Sequence, residues 1–212
     1  MSTFFLHESL YRDLSPTADR RVTICGAGAL GANLSETLAR MGLRRLRVID
    51  RDRIEAHNLS TQPWTQQDVG ASKARVLAGM LYRAAGARVE AVPAELTQAN
   101  ALRLLEGSAV VVDAFDNLQA RRSVSEAAAA LSAPCLHIAL GGTGDYGCGF
   151  WDGDYRMPDS PAGVDGCDYP LTRPLALLVA AAAAEVVVEH LLDGSQRSFE
   201  VTLRDLRLQS SA

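Results

Sequence analysis

The stretch that most constrains this chain is residues 21–31, RVTICGAGALG, where a short apolar run meets glycines at the spacing Gly26-x-Gly28-x-x-Gly31. The run reads as a buried strand, and the residues after it place Leu30, Leu34, Leu38 and Met41 on one helical face. Gly42 stands where a helix takes a C′ glycine. Residues 46–50, LRVID, form a second strand that ends in an acid. Strand, glycine turn, helix and strand make a β-α-β unit, and such units in series require a parallel sheet with helices on its faces.

The alternation continues with a helix over 72–85, a strand over 88–92, a short helix over 98–106 and a strand over 109–113. A helix over 118–131 and a strand over 134–140 follow, and residues 145–151 alternate as a later strand would. Residues 153–170, rich in Pro, Gly and Asp, read as an exposed crossover loop. An Ala-rich helix over 175–192 and a last strand over 198–206 finish the chain. The expectation is one α/β domain over residues 1–212. It has a doubly wound, mostly parallel, Rossmann-like sheet with additional C-terminal strands, a crossover loop and a long helix. A length of 212 residues with 48% hydrophobic content is enough for one such core.

In this context the glycine spacing is a phosphate-binding turn. Gly26 permits the tight turn, Gly28 lets backbone approach phosphate, and Gly31 lets helix and strand pack closely. The helix N-terminus offers N–H groups and a partial positive charge to an anion. Asp50 falls 24 positions after Gly26 at a strand end, where a carboxylate can accept hydrogen bonds from ribose hydroxyls. A nucleotide is expected, but the turn alone does not separate NAD, FAD and ATP.

Composition narrows the remaining classes. A net charge of -4 gives no electrostatic reason to bind nucleic acid or an anionic membrane. Residues 1–10 contain His7 and Glu8 and lack the apolar stretch of a signal peptide. The most apolar run, residues 174–184, is short of the ~20 residues that span a bilayer. Cys25, Cys135, Cys148 and Cys167 are scattered without a C-x-x-C pair, so neither structural zinc nor a disulfide framework is expected. A cytoplasmic location follows as the expectation. Of the 21 basic residues, Lys73 is the only lysine.

The segment after Asp50, IDRDRIEAHNLSTQPWTQQDVGASKA, resembles the ubiquitin-activating-enzyme-like (ThiF/MoeB/HesA) adenylyltransferases. Their pattern of a strand ending D-x-D, then V/I-E-x-x-N-L-x-R-Q, then G-x-x-K-A, is matched at Asp50, Asp52, Ile54, Glu55, Asn58, Leu59, Gln62, Gly70, Lys73 and Ala74. Their D-x-x-D-N-x-x-x-R signature is matched at Asp113, Asp116, Asn117 and Arg121. The resemblance runs from about residue 21 to 192 and implies an enzyme that binds ATP and Mg²⁺. It implies adenylylation of the C-terminal Gly-Gly carboxylate of a small ubiquitin-like or sulfur-carrier protein, by a homodimer. It assigns Lys73 to the triphosphate, Asp116 to the metal, and Asn58, Gln62 and Asn117 to the neighbourhood of the nucleotide. Arg12 corresponds to an arginine contributed by a neighbouring subunit in family dimers. Cys167 stands where some members carry a cysteine that forms a thioester or acyl disulfide, and an inert loop thiol is the other reading.

Other roles stay open at this stage. Asp116 also suits an N-cap for the helix at Leu118, and Arg121 suits a structural partner for a carboxylate. His137, in an apolar strand, reads as a satisfied core histidine, and Cys25, Cys135 and Cys148 as buried thiols. Thr61 replaces the family's arginine in N-L-x-R-Q. That departure motivates a catalytically degenerate nucleotide- or carrier-binding module as an alternative. The glycine turn by itself allows an NAD-dependent oxidoreductase.

Overall fold

The computed structural model describes residues 3–156 and 170–210. A short helix, α1 (Leu6–Tyr11), precedes β1 (Val22–Cys25), whose side chains are all buried. The glycine turn leads into α2 (Ala29–Met41), which Gly42 ends in the left-handed conformation, and β2 (Arg45–Ile49) returns beside β1. Then come α3 (Lys73–Ala85), β3 (Arg88–Val92), α4 (Ala101–Leu105), β4 (Val110–Asp113), α5 (Leu118–Ala130) and β5 (Cys135–Leu140). The chain finishes with β6 (Tyr146–Trp151), α6 (Arg173–Asp193), β7 (Phe199–Thr202) and β8 (Arg207–Ser210).

The strands form one eight-stranded sheet in the order β3-β2-β1-β4-β5-β6-β7-β8. Pairing is parallel from β3 through β5 and antiparallel from β5 to β8. Strand periodicity divides the core in two. Val22, Ile24, Val48, Val110, Val112, Leu136 and Ile138 pack under α2, α3 and α6. Cys25, Ile49, Val111 and Cys135 meet Leu104 and Leu105 of α4 and Val124, Ala127 and Ala128 of α5. Each fully buried Val, Leu or Ile contributes about 1.5–3 kcal/mol of transfer free energy, so both layers are needed to hold the sheet.

Helix α6 is apolar apart from its two ends and the Glu185–Glu189 stripe, and it packs against α2 and strands β5 to β7. By length and composition it could cross a membrane, yet 61% of its apolar window is buried inside the protein, as a core helix requires. A Cβ at Gly147 on β6 would lie 2.4 Å from Val179 Cγ2, so the missing side chain is what lets α6 approach the sheet.

The structure bears out the doubly wound, mostly parallel sheet with added C-terminal strands. The helix expected over 98–106 is shortened to α4 at Ala101–Leu105, and the structure differs in three further places. The last strand divides into the hairpin β7–β8, with Leu206 at a left-handed φ of 52° and Thr202 hydrogen-bonded to Asp205 across the turn. Helix α6 begins earlier than expected, because Pro174 is well placed in a first helical turn. Helix α1 was not anticipated, since none of its residues is buried and its pattern carries no core face.

Candidate nucleotide site at the switch point of the sheet

Strand order reverses between β1 and β4, and doubly wound sheets leave a crevice at the C-terminal ends of such a pair. A cleft of about 270 Å³ opens there. Its walls are Gly26 and Gly28 after β1, residues 50–52 after β2, Lys73 at the start of α3, residues 94–97 after β3, and residues 114–117 after β4. A larger, shallower groove of about 790 Å³ lies at the opposite, N-terminal ends of β1 to β3, away from all of these groups.

The glycines differ in what surrounds them. Gly26 has φ +101°, and a Cβ there would sit 3.0 Å from the Ala114 carbonyl oxygen. At Gly31 a Cβ would lie 1.9 Å from the carbonyl oxygen of Gly26, so this glycine belongs to helix–strand packing. At Gly28, the N-cap of α2, a Cβ would meet nothing within 4 Å and would project into open space. No side chain caps α2, so its first N–H groups are available to an anion at the cleft.

Asp50 braces this turn. Its carboxylate accepts a hydrogen bond from the Ala27 N–H at 2.6 Å and another from the Asp52 N–H at 2.7 Å. Burial pushes its carboxyl pKa up, opposed by those N–H groups and by the Lys73 charge. The motif spacing that follows has a local cause. Gly70, at φ +87°, lets residues 70–73 run back along 52–54, with bonds from Gly70 N–H to the Ile54 carbonyl, Ile54 N–H to Ala71 and Lys73 N–H to Asp52. Lys73 is thereby delivered to the cleft nearly buried, with Nζ 3.4 Å from Asp52 Oδ2.

Across the cleft, Asp116 is exposed, and among the described residues nothing donates to its carboxylate. It is not the helix cap. Asn117 caps α5, its Oδ1 accepting from the Ala120 N–H at 2.8 Å. Arg121 is a structural partner, 3.4 Å from Asp113 and donating to the Ile138 carbonyl at 2.7 Å. Cys25, Cys135 and Cys148 are buried, as their sequence contexts suggest.

The structure therefore brings together Gly26, Gly28, Asp50, Asp52, Lys73, Asp116 and Asn117. Asn58 and Gln62 do not line the cleft. Asn58 Oδ1 accepts from the Glu55 N–H at 3.0 Å and caps the turn Ala56–Ser60, while Gln62 Oε1 accepts from the Trp64 indole at 2.7 Å. Thr61 is buried, and its carbonyl accepts from Asn33 Nδ2, which also bonds the Ala29 carbonyl in the first turn of α2. Arg12 also lies away from the cleft, ion-paired with Glu8 at 2.7 Å and with both oxygens of Glu185 at 2.8 Å. Cys167 falls outside the described residues. Sequence reasoning missed Glu95, Thr97, Phe115 and Gln119 as lining residues. The usable signal was positional: all but Gln119 follow closely after the C-terminal end of a parallel strand.

Residues 6–206 match the ThiF family. The chain belongs to the ThiF family. Relatives include a sulfur carrier protein adenylyltransferase of Thermus thermophilus, 40% identical over 121 residues, which cover 56% of this chain and 45% of that protein. A sulfur carrier protein ThiS adenylyltransferase of Bacillus subtilis is 30% identical over 159 residues, covering 71% of this chain and 47% of that protein. This ThiF-family chain thus spans under half the length of these relatives. E. coli MccB with ATP shares its fold at a TM-score of 0.77 and 19% identity, over 97% of this chain and 69% of MccB. E. coli tRNA N6-threonylcarbamoyladenosine dehydratase, TcdA, does so at 0.75 and 18%, over 90% and 94% of the two chains.

Proposed function

We propose that this ThiF-family chain binds ATP with Mg²⁺ and adenylylates the C-terminal carboxylate of a small ubiquitin-like or sulfur-carrier protein. One observation carries the reading: the sole lysine is nearly buried at a cleft that is also lined by Gly28 at the uncapped N-terminus of α2 and by the unengaged carboxylate of Asp116. An attack on the α-phosphate expels pyrophosphate, so charge along the triphosphate must be neutralised, and a compact ammonium and helix N–H groups do that. Asp50 and Asp52 would receive the ribose. The donor set fits magnesium as well, because one exposed carboxylate beside phosphate oxygens is the shell that ion favours. Asp116 would hold it, and its charge would assist pyrophosphate departure. The relatives named as sulfur carrier adenylyltransferases support the carrier as substrate.

The test is pyrophosphate exchange into ATP, measured with and without a carrier ending in Gly-Gly. Carrier-dependent exchange is expected. Its absence with a verified carrier would leave the binding-module reading, which the buried Thr61 in place of an arginine favours. Cytoplasmic location and the covalent use of Cys167 belong to the same proposal. A reducible carrier adduct that vanishes in Cys167→Ser would support the latter, and no adduct in wild type would remove it.

A further inference from the structure

His137 is fully enclosed, yet its ring meets a carboxylate at each nitrogen: Asp113 Oδ2 lies 2.9 Å from Nδ1 and Asp152 Oδ1 lies 3.1 Å from Nε2. Tyr155 stacks flat on the imidazole at 3.8 Å between ring centres. A neutral imidazole has one N–H and one lone pair, so it cannot donate to both carboxylates, whereas the imidazolium can. The three belong to different parts of the fold. Asp113 ends β4, and its Oδ1 accepts from the Phe115 N–H at 3.1 Å, shaping the turn that carries Asp116. Asp152 and Tyr155 lie on the chain just after β6, on its way to α6.

We propose that His137 is a positioning residue whose imidazolium latches the chain leaving β6, through Asp152 and Tyr155, to Asp113 and so to the turn at residues 114–117. The latch fixes one wall of the cleft relative to the segment that enters the crossover. Its consequence for catalysis rests on the adenylylation reading, but the latch itself does not.

The surroundings agree. Burial alone lowers the His137 pKa, but the bonds to Asp113 and Asp152 raise it further, and the net direction is up. Facing the cluster are Cys25 from β1, Asp113 from β4, Cys135 from β5, Arg121 from α5, and Asp152 with Tyr155 after β6. Cys148 on β6 faces Arg121. Two carboxylates and two cations balance without a further ion. Cys135, His137 and Asp152 are of metal-ligating type and lie within 4.8 Å of one another. Burial pushes the Cys135 thiol well up, however, which favours the neutral form, and both imidazole nitrogens are engaged.

A folded-state pKa above the ordinary value means that the latch is present at low pH and is lost as pH rises through that pKa. Nitrogen-15 spectra of the full chain should show both ring nitrogens of His137 protonated at pH 7, and a neutral ring would overturn the proposal. Amide exchange then reads the coupling. His137→Gln should accelerate exchange at least ~10-fold at Phe115 and also at Asp154 and Tyr155, a difference the assay resolves clearly. Unchanged exchange, or acceleration on one side only, would show that no latch joins the two. Should that variant not fold, Asp152→Asn removes the charge, though not the acceptor, from a single arm. It should loosen residues 154 and 155 and move the pH at which wild-type protection is lost downward, and an unmoved midpoint refutes the latch. Carrier-dependent exchange should decline over the same pH range and shift with the same variant. A wild type with no exchange activity counts against the proposed function alone, since the ring and amide measurements still judge the latch.

Discussion

Removing the Lys73 ammonium leaves Asp52, whose side chain is 55% exposed and can return to water. Lys73→Ala should therefore fold normally and lose ~10²-fold or more in carrier-dependent exchange, the usual cost of a transition-state charge contact. Near-normal exchange would remove Lys73 from the mechanism. The glycines should fail in different ways. Gly31→Ala drives a methyl into backbone that cannot swing aside, which should cost on the order of 1–3 kcal/mol in chemical denaturation. Gly28→Val meets open space, so it should stay folded and lose ATP affinity by calorimetry. Equal destabilisation of the two would contradict this division. Thr61 is held among buried groups, so Thr61→Arg should lower stability without raising exchange. A folded Thr61→Arg with faster exchange would instead show that a phosphate-facing cation is missing at that position.

At the level of elements, helices and strands with a periodic apolar face were legible because burial imposes the pattern. Residues 88–92 were read at their observed bounds, and β1, α3 and α5 within one residue at each end. Motif spacing carried the cleft for the same kind of reason: Gly70 and Lys73 are placed by a local backbone ladder, which sequence distance alone encodes. Asn58 and Gln62 were misleading because an amide in a motif looks the same whether it faces a ligand or holds its own loop. The Asp113–His137–Asp152 cluster could not be read, since its members come from the end of β4, the interior of β5 and the residue after β6, and meet only once the sheet is assembled. The β7–β8 hairpin was hidden by the apolar Leu206, an unfavourable residue for its left-handed conformation. Leu206 is 80% exposed, so Leu206→Asn should lose no packing and should stabilise the protein by about 0.5–1 kcal/mol. Loss of stability in this variant, measured by urea unfolding, would mean that the side chain has a partner in solution.

For the whole molecule, a ligand that joins the ends of β1, β2 and β4 ties the sheet across its centre. ATP at 100 times its dissociation constant adds about 2.7 kcal/mol, which should raise the melting temperature by roughly 5–10 °C. NADH should leave it unchanged, and a larger shift with NADH would restore the oxidoreductase alternative. The order of strands has a further consequence, for synthesis. Val22 in β1 pairs with Leu46 on one side and with Val110 on the other. A chain emerging from the ribosome can therefore close β1 against β2 early, while the other edge of its most apolar strand stays bare until β4 has been made. Unpaired edges recruit other chains, so a ribosome stalled before residue 110 would release a fragment with an adhesive central strand. Such a fragment, expressed alone, should aggregate, and adding the remainder of the chain in trans should compete for the same edge.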